Sequence, residues 1–308
     1  MAKRLLDCTA SDFERMTKEE LLFAMGAAEG RVLACETIGK FTPLVGDVSN
    51  AELAAALGGD VILLNIFDVW KPQVQGIPDC PPEDTIRLIK TLTGRPVGIN
   101  LEPVELGHTS EVDTTLWGLT EGRKATRENA IRAAEMGVDF VLLTGNPGIG
   151  VTNKAITDSL EVFREAVGDK IILCTGKMHA SGSLTEAGEN IITKEDIKAF
   201  ADAGADVILL PAPGTVPGVT MEGIRDLVSY AHSLGKLTIT AVGTSQEGAD
   251  VDTIKRIALM CKMTGTDIHH IGDSGFTGIA APENITAYSV AIRGVRHTYR
   301  RMAMSIKR

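Results

Sequence analysis

Four times along the chain a Gly-x-Asp tetrad leads into an apolar run: "GGDVILLN" at 58–65, "GVDFVLLT" at 137–144, "GADVILLP" at 204–211 and, more loosely, "GTDIHHIG" at 265–272. Each reads as a strand entered after a helix-ending glycine. A second type, entered by a basic residue, lies between them: "GRVLACET" (30–37), "GRPVGINLE" (94–102), "DKIILCTG" (169–176) and "GKLTITAVG" (235–243). The two types alternate strictly, which predicts eight strands. The intervening segments read as helices: "SNAELAAALGG" opens on a Ser or Asn cap, and "PEDTIRLIKTLTG" has Pro at its start and Gly at its end.

Eight apolar strands, each followed by a helix, within 308 residues predict an α/β fold, a (β/α)8 TIM barrel. An open doubly wound sheet is the competitor, but no linker or composition shift interrupts the alternation. The expected organisation is a single domain over 1–308, with an N-terminal helix at about 10–28 closing the barrel bottom and the barrel at about 30–308. The chain should end in a long helix carrying one apolar stripe, Ile285, Tyr288, Ile292, Val295, Tyr299, Met302 and Ile306, at steps of three and four.

Composition narrows the partners. Hydrophobic residues make up 44% of the chain, enough for a substantial core, and no run reaches the length of a signal peptide or a membrane span. The expectation is a cytoplasmic protein with no membrane partner. A net charge of −9 argues against nucleic acid. The six basic residues between Arg293 and Arg308, with no acidic one among them, read as the solvated face of the last helix. Cys8, Cys35, Cys80, Cys174 and Cys261 are odd in number and widely spaced, the pattern of buried or free thiols.

In a TIM barrel the chemistry sits at the C-terminal strand ends. Those ends form a polar ring: Glu36 and Lys40, Asn65 and Asp68, Asn100 and Glu102, Thr144 and Asn146, Lys177 and His179, Thr215, Thr244 and Ser245, then His269, His270, Asp273 and Ser274. Polar groups so placed need partners or a ligand. The candidate catalytic residues are Lys177, His179, Glu36, Glu102, Asp68 and the inward one of His269 and His270, for which His270 is taken; Asn65, Asn100, Thr144, Asn146 and Thr215 are candidate substrate ligands. Lys177, on a strand end in an apolar barrel, offers either a nucleophilic amine for Schiff-base aldolase chemistry or a cation that pairs with Glu36, Glu102 or an anion. Glu36, Asp68 and Glu102 are possible Mg²⁺ ligands, and no other cofactor is read.

Two loops combine glycine with hydroxyls at a helix start, the pattern of a phosphate or carboxylate seat: Gly243, Thr244 and Ser245, and Gly272, Asp273, Ser274, Gly275 and Thr277. The Gly-Asp-Ser-Gly within the second resembles the nucleophile motif of trypsin-like proteases. An α/β barrel lacks their all-β scaffold, so Ser274 reads as part of a turn. Zinc-protease, paired-cysteine zinc and dinucleotide motifs are absent.

The stretch "GIPDCPPEDTIRLIKTLTGRPVGINLEP", 76–103, resembles the second-to-third-strand region of the phosphoenolpyruvate phosphonomutase/isocitrate lyase superfamily. The whole chain is similar to a bacterial TIM-barrel family that carries phosphonomutase-like labels. The resemblance implies the barrel fold and a small anionic substrate. Where the superfamily ends strand three with a Mg²⁺-binding Asp-x-Asp, this chain has Asn100 and Glu102. The expected protein is therefore an enzyme of lyase, isomerase or mutase type acting on a small phosphorylated or carboxylated metabolite, as a homo-oligomer. A Schiff-base aldolase and a non-catalytic metabolite-binding or regulatory barrel are the alternatives.

Overall fold

The computed structural model describes residues 3–104, 118–145, 151–180 and 187–308. Among them, eight parallel strands hydrogen-bond in sequence order and close on themselves: β1 (Val32–Ile38), β2 (Val61–Asn65), β3 (Val97–Leu101), β4 (Phe140–Leu143), β5 (Ile172–Gly176), β6 (Val207–Pro211), β7 (Leu237–Val242) and β8 (Ile268–Ile271). Ala34 on β1 pairs with Val61 on one side and His270 on the other, which seals the barrel. Helices α1 (Ala10–Phe13) and α2 (Lys18–Gly26) precede the barrel. One helix follows each strand: α3 (Asn50–Ala56), α4 (Thr85–Thr93), α5 (Arg127–Met136), α6 (Asn153–Val167), α7 (Lys194–Asp202), α8 (Met221–Ser233), α9 (Val251–Thr264) and α10 (Pro282–Ala303).

The Gly-x-Asp tetrads have a shared mechanical role. Asp60, Asp139, Asp206 and Asp267, each just ahead of an even-numbered strand, accept a hydrogen bond from the backbone amide of Leu33, Val97, Leu173 and Thr238 in the preceding odd strand, at 2.8–2.9 Å. Every one also meets a cation-forming side chain: Arg293 and Arg301 at Asp60, Lys90 at Asp139, Lys18 and Arg164 at Asp206, and His232 at Asp267. Four strand pairs are thus pinned in register at the barrel bottom by a carboxylate.

Side chains alternate between two cores, as the strand pleat requires. Val32, Ala34, Leu63, Leu142 and Leu209 fill the barrel interior; Leu33, Cys35, Ile62, Leu173 and Ile208 pack against the helices. Leu5, Phe13, Leu21 and Met25 join the interior cluster from below, so the N-terminal segment plugs the bottom as expected. It does so with two short helices rather than one. Thr17 starts the second with a capping box, its amide donating to Glu20 Oε2 and its hydroxyl accepting from the Glu20 amide.

The end of the chain departs from expectation twice. Gly294 adopts non-helical angles (φ 76°) and breaks α10, so Ile285, Tyr288 and Ile292 are buried while Val295, Tyr299, Met302 and Ile306 lie on the surface. The basic run is not a uniformly solvated face either, because Arg293 and Arg301 are buried against Asp60 and hold the helix to the barrel. All five cysteines are free, and only Cys80 is partly exposed. Among the described residues, no helix is long and apolar enough to cross a membrane.

Candidate active site

The same alternation that fills the barrel interior brings Glu36, Asn65, Asn100 and His270 to its upper end, one or two residues above the apolar layers. Glu36, Asn65 and Asn100 line a cavity of about 580 Å³, whose lining also includes Glu102, Thr144, His179, Gly243, Thr244, Ser245, Asp273 and Ser274; His270 is buried outside the lining, against Glu36. Most of the expected ring therefore converges. Five lining residues, Ile66, Arg123, Gly145, Met178 and Glu247, were not foreseen.

One wall is acidic and is built from three consecutive strands of the closed ring. Glu36 lies on β1, Glu247 follows β7 and Asp273 follows β8. His270 Nε2 sits 3.3 Å from Glu36 Oε2. Burial alone pushes this imidazole down, but the adjoining Glu36 carboxylate, with Glu247 and Asp273 beyond, brings it above its usual value. Burial, aided by the charge of Glu36, pushes Asp273 up to about 7, against hydrogen bonds from Asn65 Nδ2 (2.9 Å) and Ser274 Oγ (3.0 Å). Glu247 is also raised, chiefly by burial. Its Oε1 accepts from the Ser274 amide at 2.9 Å, and its Oε2 is buried with no hydrogen-bond partner among the described residues.

Facing this wall, beyond β3, Arg123 donates from Nη2 to Glu102 Oε1 at 2.5 Å and from Nη1 to Gly118 O at 2.7 Å. Burial raises Glu102 despite that guanidinium. Burial lowers His179. Asn100, with its amide oriented to satisfy both ends, donates to Leu142 O at 2.9 Å and Thr144 O at 3.3 Å. Three non-glycine residues of the lining, Ile66, Thr244 and Ser245, hold positive φ angles of 55°, 58° and 67°. Such conformations are costly, most of all for a β-branched residue, and cluster where a site must be held in shape.

Several expected residues lie elsewhere. Asp68 ties two loops together: its carboxylate accepts from the amides of Trp70 and Lys71 in its own loop and from Thr120 Oγ1 in the connection after β3. Its contacts leave no room for a side chain at Gly122. Lys177 is fully buried outside the cavity lining, one residue past the strand and on the opposite parity to inward-facing Gly176. Thr215 donates to Ala212 O and accepts from Thr244 Oγ1 through its carbonyl, which anchors the loop from behind. His269 points into the helix layer, where Nδ1 lies 3.1 Å from the Tyr288 hydroxyl and Nε2 lies 3.0 Å from Gly30 O; burial pushes it down to about 4. Gly272, Gly275 and Thr277 are packing positions of the turn: a Cβ on Gly272 would lie 2.7 Å from Glu247 Oε1, one on Gly275 would lie 2.6 Å from the Ala281 amide, and Thr277 O accepts from Asn50 Nδ2. The Ser274 amide of that turn already holds the Glu247 carboxylate. Asn146 lies outside the described residues.

The donor set does not suit Mg²⁺. Among the described residues, no three His, Cys, Asp or Glu side chains are grouped closely enough to hold an ion. Of the three expected ligands, Asp68 serves its loop and Glu102 is tied to Arg123.

A family model described as "Domain of unknown function (DUF7916)" matches residues 6–308. The chain belongs to the DUF7916 family. No curated protein matches it. Among solved structures, the DUF7916 barrel is similar to the carboxyl transferase domain of Rhizobium etli pyruvate carboxylase with 3-bromopyruvate, at 13% identity and a TM-score of 0.54 over 96% of this chain and 52% of that one. Pyruvate carboxylase from the same organism, with the allosteric activator acetyl coenzyme-A, matches at 12% identity and a TM-score of 0.54, over 96% of this chain and 29% of that one. The chain thus spans about half or less of these proteins. It is also similar to 2,3-dimethylmalate lyase, a PEP mutase/isocitrate lyase superfamily member, at 13% identity and a TM-score of 0.50 over 82% and 80% of the two chains. At such identities the shared property is the barrel fold, in keeping with the superfamily resemblance of residues 76–103.

Proposed function

We propose that the DUF7916 barrel is an enzyme of lyase, isomerase or mutase type that moves a proton on a small carboxylated metabolite. The observation that carries this reading is the cluster of Glu36, His270 and Asp273, in which Glu36 and Asp273 line the cavity and the buried imidazole of His270 lies 3.3 Å from Glu36. General acid–base catalysis works best when a group can exchange its proton near the working pH, and Asp273, held near 7, has that property. Glu36 favours the charged form of His270, which backs it with a proton, so Glu36 and Asp273 are the two carboxyl groups of this cluster that face the substrate space. On the far side Arg123 offers a guanidinium to a carboxylate and to negative charge that develops on an adjacent oxygen. A carboxylate is favoured over a phosphate because Glu247 fills the amide turn after β8 that would otherwise receive phosphate.

The test is proton–deuterium exchange in D2O, followed by NMR across a panel of small keto, hydroxy and amino acids. At least one compound is expected to exchange, and His270→Gln and Asp273→Asn should each slow it about 100-fold or more. Exchange that persists unchanged in both variants would refute the reading. Because Lys177 lies outside the lining, borohydride reduction with the active compound should leave Lys177 unmodified; an adduct there would establish the Schiff-base alternative.

A further inference from the structure

The acid wall has a recognition capacity that proton transfer does not use. Glu36 has His270 as its cationic partner, and Asp273 has both carboxylate oxygens hydrogen-bonded. Glu247 differs. It is about 1% exposed, yet only one of its two oxygens has a partner among the described residues; the other, Oε2, is buried in the wall of the cavity. An ionised carboxylate is an acceptor only, and a buried acceptor left without a donor costs about 1–3 kcal/mol, more when charged. Three acidic side chains, Glu36 on β1 and Glu247 and Asp273 just past β7 and β8, face this space, so a cationic donor arriving there favours their ionised forms and is held by the charge that results.

We propose that this wall receives a protonated amino group of the substrate, with Glu247 Oε2 as its specific acceptor. This rests on the proposed function for the carboxylate end of the ligand and makes the substrate class a small zwitterion, an amino acid or a close relative. The geometry suits that class. In the closed order of eight strands, β3 stands across the ring from β7, so Arg123 and Glu247 belong to opposite walls of one cavity of about 580 Å³. A hydroxyl brings one donor and no charge, whereas an ammonium brings three donors and a full positive charge. A divalent metal needs several oxygen ligands at about 2.0–2.6 Å, and the described residues contain no such group.

Calorimetric titration of the whole chain with matched pairs tests the assignment: glycine against glycolate, alanine against lactate, aspartate against malate, with methylammonium and Mg²⁺ alone as further probes. The amino member of at least one pair should bind about 10- to 100-fold more tightly than its hydroxy partner. Glu247→Gln keeps an acceptor for the Ser274 amide and removes the charge, so it should erase the preference without loss of fold, checked by circular dichroism. A hydroxy acid that binds the wild type as well as its amino partner overturns the assignment while leaving the proposed function standing. Methylammonium binding that Glu247→Gln abolishes, with no response to any carboxylate, supports the amino seat and overturns the carboxylate reading. Mg²⁺ binding that Glu247→Gln abolishes, or no binding by any probe, overturns the seat.

Discussion

Replacing Asp60 by Asn should be the most damaging isosteric change in the barrel bottom. The side chain is fully buried, accepts from the Leu33 amide at 2.9 Å, and meets Arg293 and, at 2.7 Å, Arg301. Asn keeps the shape but leaves two buried guanidiniums without their counter-charge, a loss of about 3–5 kcal/mol in comparable sites. The lower end applies here, because Arg293 also donates to Gly58 O and Ser289 Oγ, and Arg301 to Leu5 O and Cys8 O. For a chain of 308 residues the unfolding entropy is about 0.65 kcal/mol/K, so about 3 kcal/mol lowers the melting temperature by about 5 °C. Asp267→Asn is the internal control. Its partner His232 is 40% exposed, and an exposed pair contributes about 1 kcal/mol or less. Urea and thermal unfolding of both variants measure the difference. Equal losses would refute the claim that counter-charge in a dry site, rather than the shared strand-pinning geometry, sets the cost at Asp60.

The adjacent histidines of β8 should separate cleanly: His269→Leu strands the Tyr288 hydroxyl and Gly30 O and should cost about 1–3 kcal/mol in urea without touching ligand binding, whereas His270→Gln should cost function and little stability. Asp273, raised from 3.8 to about 7, favours its protonated form in the fold, so the stability it contributes is complete below about pH 4 and lost as pH rises through 7. Asp273→Asn should therefore narrow the gap in melting temperature between pH 5 and pH 8; an unchanged gap would show that another group governs it. Gly122→Ala places a methyl on the Asp68 carboxylate and should lower the urea midpoint by the equivalent of about 1–3 kcal/mol, with part of the loss recovered in an Asp68→Gly background.

The barrel was legible because its punctuation is physical. A helix-ending glycine and a strand-capping aspartate recur wherever an even strand begins, and seven observed strands fall within the marked segments while β1 runs one residue past its own, to Ile38. Strand parity likewise carried Glu36, Asn65 and Asn100 into the cavity. Reading failed where the chain leaves the strands. Lys177 is one residue past β5 and is buried outside the cavity lining, and Asp68 follows Ile66, whose left-handed backbone redirects the loop. Arg123 and Glu247 reach the cavity by loop paths that no periodicity encodes. Glycine with hydroxyls after β8 fits a ligand seat and a turn filled by the protein equally well; the acid that fills it comes from the preceding loop. At the C-terminus the three-and-four spacing continued past Gly294, but the backbone did not.

The four strand-pinning aspartates divide the ring unevenly. Each clamps an odd strand to the even strand that follows, so β1–β2, β3–β4, β5–β6 and β7–β8 share a carboxylate latch at the barrel bottom, whereas the β4–β5 seam is joined higher up by Thr175 Oγ1 donating to Leu143 O. Mechanically the molecule is a cask of four double staves rather than eight single ones. A two-strand unit is therefore the piece that can be exchanged, duplicated or recombined with its latch intact.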